Sequence, residues 1–99
     1  MIRHIVMWKL VPLDADAKAA AVADMADALE PLVGVVPGLH SLTVRPNVAF
    51  LETNWDAVLV SDFDSVEALE GYQVHPDHVV AAAVPRKYAE SRVAVDVDV

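Results

Sequence analysis

Cysteine is absent from this chain of 99 residues, which excludes disulfides and thiolate catalysis and suits a reducing compartment. Basic residues are scarce: 7 lysines and arginines stand against 15 aspartates and glutamates, a formal charge of -8. That balance repels a phosphate backbone at long range, so nucleic acid is not an expected partner. No run approaches the roughly 18–20 apolar residues of a membrane span. The opening MIRHIVMWKLVP is only briefly apolar, is interrupted by Arg3, His4 and Lys9, and lacks a signal-peptide core or cleavage site. The expected setting is soluble and cytoplasmic, with no membrane partner. Internal repeats, linkers and low-complexity segments are missing too.

Apolar residues, by contrast, are in surplus: they make up 56% of the chain. A chain this short is expected to form one domain spanning residues 1–99, and it buries only about 60–70% of the surface its unfolded form exposes. The surplus therefore implies an apolar cavity, a face hidden against a second copy of the chain, or both.

The stretch IRHIVMWKLV reads as a strand with two largely apolar faces, so both faces need cover. Pro12 stops it, and Asp14 caps a helix running to about Val33, with Val22, Met25, Leu29 and Leu32 at helical spacing. Pro31 bends or ends its last turn. Gly34 and Pro37-Gly38 mark the turn out, and His40 to Arg45 alternates as a second strand. Residues 45–54 carry no readable pattern. Trp55 to Phe63 forms a third strand, sending Trp55, Ala57, Leu59 and Phe63 one way and Val58 and Val60 the other. Asp64 opens a capping box ending at Glu67. Two short helices follow, roughly 65–74 and 76–84, with His75 capping the hinge between them and Pro85 closing the second. The tail SRVAVDVDV alternates as a final strand, with Val93, Val95, Val97 and Val99 inward and Arg92, Asp96 and Asp98 outward.

The order β-α-β-β-α-β gives an α+β fold: a ferredoxin-like, four-stranded antiparallel sheet with helices on one face. The other face, bearing Ile5, Met7, Val58 and Val60, needs a lid. A second copy of the chain is the simplest one, giving a homodimer through the sheet face.

MIRHIVMWKL, then WDAVLVSDFDSVEALEGYQVHPDHV, then a short closing strand resemble the stress-responsive dimeric α/β-barrel (Dabb) family over essentially the whole chain. The most specific element is Y-x-x-H-P-x-H, carried by Tyr72, His75, Pro76 and His78, supported by D-F-D-S at Asp62 to Ser65. The resemblance implies two sheets facing each other across a twofold axis, forming a dimeric α/β barrel. A plant member of the family closes a linear polyketide by aldol condensation. By motif alignment its catalytic tyrosine and histidine fall on Tyr72 and His78, and its N-terminal-strand histidine falls on His4. A further pocket histidine of that enzyme falls near Ala57.

The chemistry this implies needs no cofactor. His78, near a helix start that disfavours imidazolium, serves as a neutral base while the Tyr72 hydroxyl polarises a substrate carbonyl. The expected catalytic residues are Tyr72 and His78. His4, Trp8, Trp55, Leu59 and His75 are the expected contacts for a small apolar or aromatic ligand. In the plainer reading Tyr72 packs its ring in the core, His78 bonds backbone, and His4 is a satisfied core histidine. The spacing His75-x-x-His78 also admits a metal reading, but no further ligand pair accompanies it, so no metal is expected. Three functions stay open: a cyclase-like enzyme, a noncatalytic small-molecule-binding or stress-associated protein, and a cofactor-free monooxygenase.

Overall fold

A computed structural model describes residues 1–99. Strand β1 (Ile2–Leu10) is paired on both sides, with β3 (Ala57–Phe63) and with β4 (Ala89–Asp98); β2 (Leu39–Pro46) completes an antiparallel sheet of order β2-β3-β1-β4. Helices α1 (Ala15–Leu29), α2 (Val66–Val74), α3 (Pro76–Ala81) and α4 (Ala83–Tyr88) supply the second layer. The expected ferredoxin-like arrangement is the observed one. None of these helices is long and apolar enough to cross a membrane.

Local signals set the element ends. Asp14 accepts from the Ala17 amide at 2.8 Å, and the orphan donors of the first α1 turn are thereby partly satisfied. At Pro31 the α-helix tightens into a 3-10 turn, Glu30–Leu32, because proline has no amide to continue the ladder. Ser65, one residue past the expected cap, accepts from the Ala68 amide, while Asp64 pairs with His40 across the surface. His75 does two jobs at the expected hinge. Its amide donates to the Tyr72 carbonyl, closing α2, and its Nδ1 accepts from the Asp77 amide at 3.1 Å, opening α3. Pro85 does not end the helical run as the sequence suggests. The break falls at Ala82, and Pro85 sits in the first turn of α4, where a missing amide removes no helical bond.

The pleat of the sheet decides which side chains meet the helices. His4, Val6, Trp8 and Leu10 point toward them, joined by Ala57, Leu59, Ser61 and Phe63 from β3. Met25 and Leu29 of α1 and Leu69 and Tyr72 of α2 pack onto that face and complete the buried core. Cross-strand rows cover the opposite face: Val60, Ile5 and Val95 in one, Val58, Met7 and Val93 in the next. It remains open, with Met7 and Val95 exposed.

That register corrects the reading of the last strand. Val93, Val95 and Val97 lie opposite Met7, Ile5 and Arg3, on the open face, and Arg92, Ala94 and Asp96 lie opposite Trp8, Val6 and His4, on the helix face. A two-residue alternation fixes two faces but does not say which one the helices cover. Trp55 is also misplaced by the sequence. It precedes β3, and its neighbours are Met7, Val58, Val93 and the turn at Pro46–Val48, on the open side of the sheet. The previously unreadable segment forms a turn held by the Asn47 and Asn54 amides, with Phe50 at a positive φ of 50°.

Gly38, at φ +80°, lies where an added Cβ would stand 2.6 Å from the Cβ of Ala68 in α2; Gly34, at φ +87°, has open space around it. Left-handed backbone costs an L-residue about 1–2 kcal/mol and overpacking a further ~1–3 kcal/mol. Gly38→Ala is therefore expected to lose clearly more stability in urea denaturation than Gly34→Ala. Equal losses would contradict the close approach of α2 to this turn.

Candidate functional site

Five of the seven side chains singled out from sequence converge on one cavity of about 440 Å³: His4, Trp8 and Leu59 from the sheet, Tyr72 from α2 and His78 from α3. Two do not. Trp55 lies on the other side of the sheet, and His75 is engaged as the cap between α2 and α3, so neither lines this space.

Tyr72 occupies the last turn of α2 and is only 2% exposed. Its ring stands edge-on to Phe63 at 5.0 Å and lies against the His78 imidazole, centroids 4.0 Å apart. The plainer reading is thus correct for the ring, which belongs to the core. The hydroxyl is another matter. It has no hydrogen-bond partner in the protein, yet no polar side-chain atom sealed from solvent lacks one. The hydroxyl therefore keeps its contact with the cavity.

His78 donates from Nδ1 to the Gln73 carbonyl at 3.4 Å, across the α2–α3 joint. Because a carbonyl only accepts, Nδ1 carries the proton and Nε2 keeps its lone pair. Burial lowers the pKa of His78 below its ordinary value, opposed by the Gln73 carbonyl and reinforced by His4, Arg92 and Arg86. A neutral imidazole is thus expected at pH 7, as the sequence suggested, but desolvation and neighbouring cations replace the helix terminus as the cause. Burial also pushes Tyr72 up to about 12, against the pull of Arg92, so its hydroxyl remains a donor.

His4 is both a satisfied histidine and a lining residue. Buried to 3% exposure, it donates from Nδ1 to the Asp96 carboxylate at 2.5 Å while bordering the cavity. Asp96 reaches it only because β4 sends its charged positions to the helix side.

The same register brings in residues that sequence reasoning missed. Arg92 from β4, Arg86 from α4 and the exposed Glu90 line the cavity, with Gln73 nearby. The signal was available in the alternation of VAVDVDV, had its valines been assigned to the face bearing Ile5 and Met7. The site thus joins a lone-pair nitrogen and a hydroxyl donor at an apolar wall of Trp8, Leu29 and Leu59, with guanidinium groups at the border. This set can move one proton and stabilise one developing oxyanion.

Residues 2–99 match the Stress responsive A/B Barrel Domain family. A stress-response A/B barrel domain-containing protein of Arabidopsis thaliana is 28% identical over 98 residues, covering 97% of this chain but 46% of that protein, so the chain spans about half its length. A dimeric protein of unknown function and ferredoxin-like fold from Bacteroides fragilis shares 27% identity at a TM-score of 0.87, over 99% of this chain and 95% of that one. Hydroxynitrile lyase from Passiflora edulis superposes at a TM-score of 0.72 with 16% identity, over 99% and 92% of the two chains, a likeness of fold.

The lowered His78 value has a signed consequence. As pH falls through the ordinary value of 6.5, the unfolded chain takes up the proton while the folded chain resists it. The contribution of His78 to stability is therefore full above 6.5 and declines as pH drops from there toward the lower folded value. NMR titration of the imidazole should find a midpoint below 6.5, and His78→Gln should remove this part of the pH dependence of unfolding. A midpoint at or above 6.5 would contradict the desolvated setting.

Proposed function

The chain belongs to the stress-responsive A/B barrel domain family, and on that premise we propose that it is a homodimeric, cofactor-independent acid–base enzyme acting on a small carbonyl compound with an apolar or aromatic body. Enolisation followed by aldol-type ring closure, the reaction of a polyketide cyclase, is the chemistry we assign to it. The observation that carries this reading is the Tyr72–His78 pair, rings 4.0 Å apart, with a partnerless hydroxyl and a lone-pair nitrogen left to one cavity.

The steps balance without a further reactant. Nε2 of His78 removes a proton from the carbon next to a carbonyl, and the Tyr72 hydroxyl donates a hydrogen bond to the enolate oxygen that forms. The enolate carbon attacks a second carbonyl of the same molecule. A carbon–carbon bond closes the ring, the new alkoxide takes the proton back from His78, and loss of water from the resulting alcohol followed by tautomerisation gives the aromatic ring. Trp8, Leu29 and Leu59 hold the body of the substrate, and their apolar wall keeps the His78 imidazole neutral between turnovers. The Passiflora lyase shows that this fold hosts catalysis in another protein, although fold alone never assigns a reaction.

Dimerisation follows from the open sheet face. Ile5, Met7, Val58, Val60, Val93 and Val95 form an apolar surface flanked at one end by Trp55 and otherwise uncovered by the chain, and a twofold axis lets such a surface cover itself. The dimeric Bacteroides protein, similar across the whole chain, supports the same assembly here.

Turnover of a synthetic linear tri-β-ketone, followed by the absorbance of the resorcinol product, tests the catalytic half. Tyr72→Phe and His78→Gln are each expected to lower kcat/KM by about 10²–10⁴ with circular dichroism unchanged. The rate should fall on the acid side as His78 protonates and hold through neutral pH, since Tyr72 lies up at about 12. Wild-type rates in both variants would remove the enzyme assignment and leave a binding protein. Val95→Asp should convert the dimer to a monomer in sedimentation velocity; a lone wild-type chain at micromolar concentration would overturn the assembly.

A further inference from the structure

The chain carries four arginines among its 7 basic residues, and they divide cleanly. Arg3 is held by the Asp62 carboxylate at 2.9 and 3.1 Å, and Arg45 by Glu30 at 3.0 Å. The guanidinium groups of Arg86 and Arg92 have no ion pair and no hydrogen bond, although 15 acidic side chains are available to a chain of charge -8. Both unpaired guanidinium groups line the one cavity that holds Tyr72 and His78, arriving from different elements, α4 and β4. Arg92 stands beside Trp8 in the register and is close enough to act on both the Tyr72 hydroxyl and the His78 ring. Lys9 and Lys87 also lack a carboxylate partner, but neither lines the cavity. Two unpaired arginines at a single cavity, brought there by different elements, are placed for a charge that comes from outside.

We propose that Arg86 and Arg92 form an anion-holding end of this cavity, and that the ligand is a small carboxylate whose apolar body lies against Trp8, Leu29 and Leu59. The proposal rests on the cavity being the substrate site and adds the substrate's charge class. A planar guanidinium donates to carboxylate and phosphate oxygens in the same forked geometry, so the choice between them comes from the remaining charges. Glu90 also lines the cavity, and Asp96 is already engaged by His4. Two guanidinium groups facing one free carboxylate leave an excess of one positive charge. That excess matches a monoanionic carboxylate and opposes a phosphate dianion, which would crowd Glu90. With the carboxylate fixed at the arginines, a carbonyl further along the same molecule comes within reach of Tyr72 and His78.

Isothermal titration of the naphthoate anion, its neutral amide and naphthyl phosphate tests this on the full chain. Naphthoate is expected to bind at least about tenfold more tightly than the amide at low salt, and the preference should shrink as salt screens it. In the Arg86→Gln/Arg92→Gln double variant the two should bind within about twofold of each other, with amide affinity unchanged, since only a charge-assisted contact has been removed. Tyr72→Phe should keep the preference for the anion, which separates this claim from the catalytic one: lost turnover with retained preference supports the anion end on its own. Equal binding of acid and amide, a preference that survives the double variant, or tighter binding of the phosphate would each overturn the proposal, and so would binding of none of the three.

Discussion

Hydrogen bonding of β1 on both edges is the constraint from which the rest of the molecule follows. Once β3 and β4 are locked to it in antiparallel register, the pleat admits no choice: His4, Val6 and Trp8 face the helices, and Ile5 and Met7 face away. The partners inherit the same division. Leu59 joins the cavity side, as do Arg92 and Asp96, while Val58, Val60, Val93 and Val95 join the open side. A slip of one residue in the β1–β4 ladder would take Asp96 from His4, pull Arg92 out of the cavity and place valines in the site. The apolar face proposed for dimerisation and the polar lining of the cavity are two readings of one register.

Much of this was legible before any coordinates. Asp14, Pro31, the Gly38 turn and the cap at His75 act through local chemistry that a single sequence displays, and the element order follows from them. Tyr72 and His78 were legible as a pair because the helix break between them is written in Pro76. Leu59, Trp8 and His4 came with their strands. The last strand was not legible in the same way. Its alternation is perfect, but an edge strand with one apolar row and one charged row fits either face until the strand beside it is known. Sending the valines to the core sends Arg92 and Asp96 to solvent and hides the charged half of the site. Trp55 escapes for a related reason: the two-residue period of β3 does not reach back beyond Ala57, where the strand begins.

The electrostatics of the cavity turn on how far its tyrosine and histidine rings are buried. Burial acts on Tyr72 and His78 in the same direction, toward the uncharged form of each, although one is an acid and the other a base. The result is a neutral donor against a neutral acceptor, a combination that exposed side chains rarely hold so firmly. His4, deeper in the core, spends its Nδ1 on the Asp96 carboxylate. Arg86 and Arg92 then give the site a positive border within an acidic protein, so a field that disfavours anions at a distance gives way to a local one that attracts them.

The joint at His75 has a consequence for how such a site can change over generations. Tyr72 and His78 sit on separate short helices linked by one extended residue, whose amide closes the first helix and whose ring opens the second. Adding or deleting a residue there would undo that double cap and carry the imidazole away from the phenol. The tyrosine-to-histidine interval therefore behaves as a fixed gear.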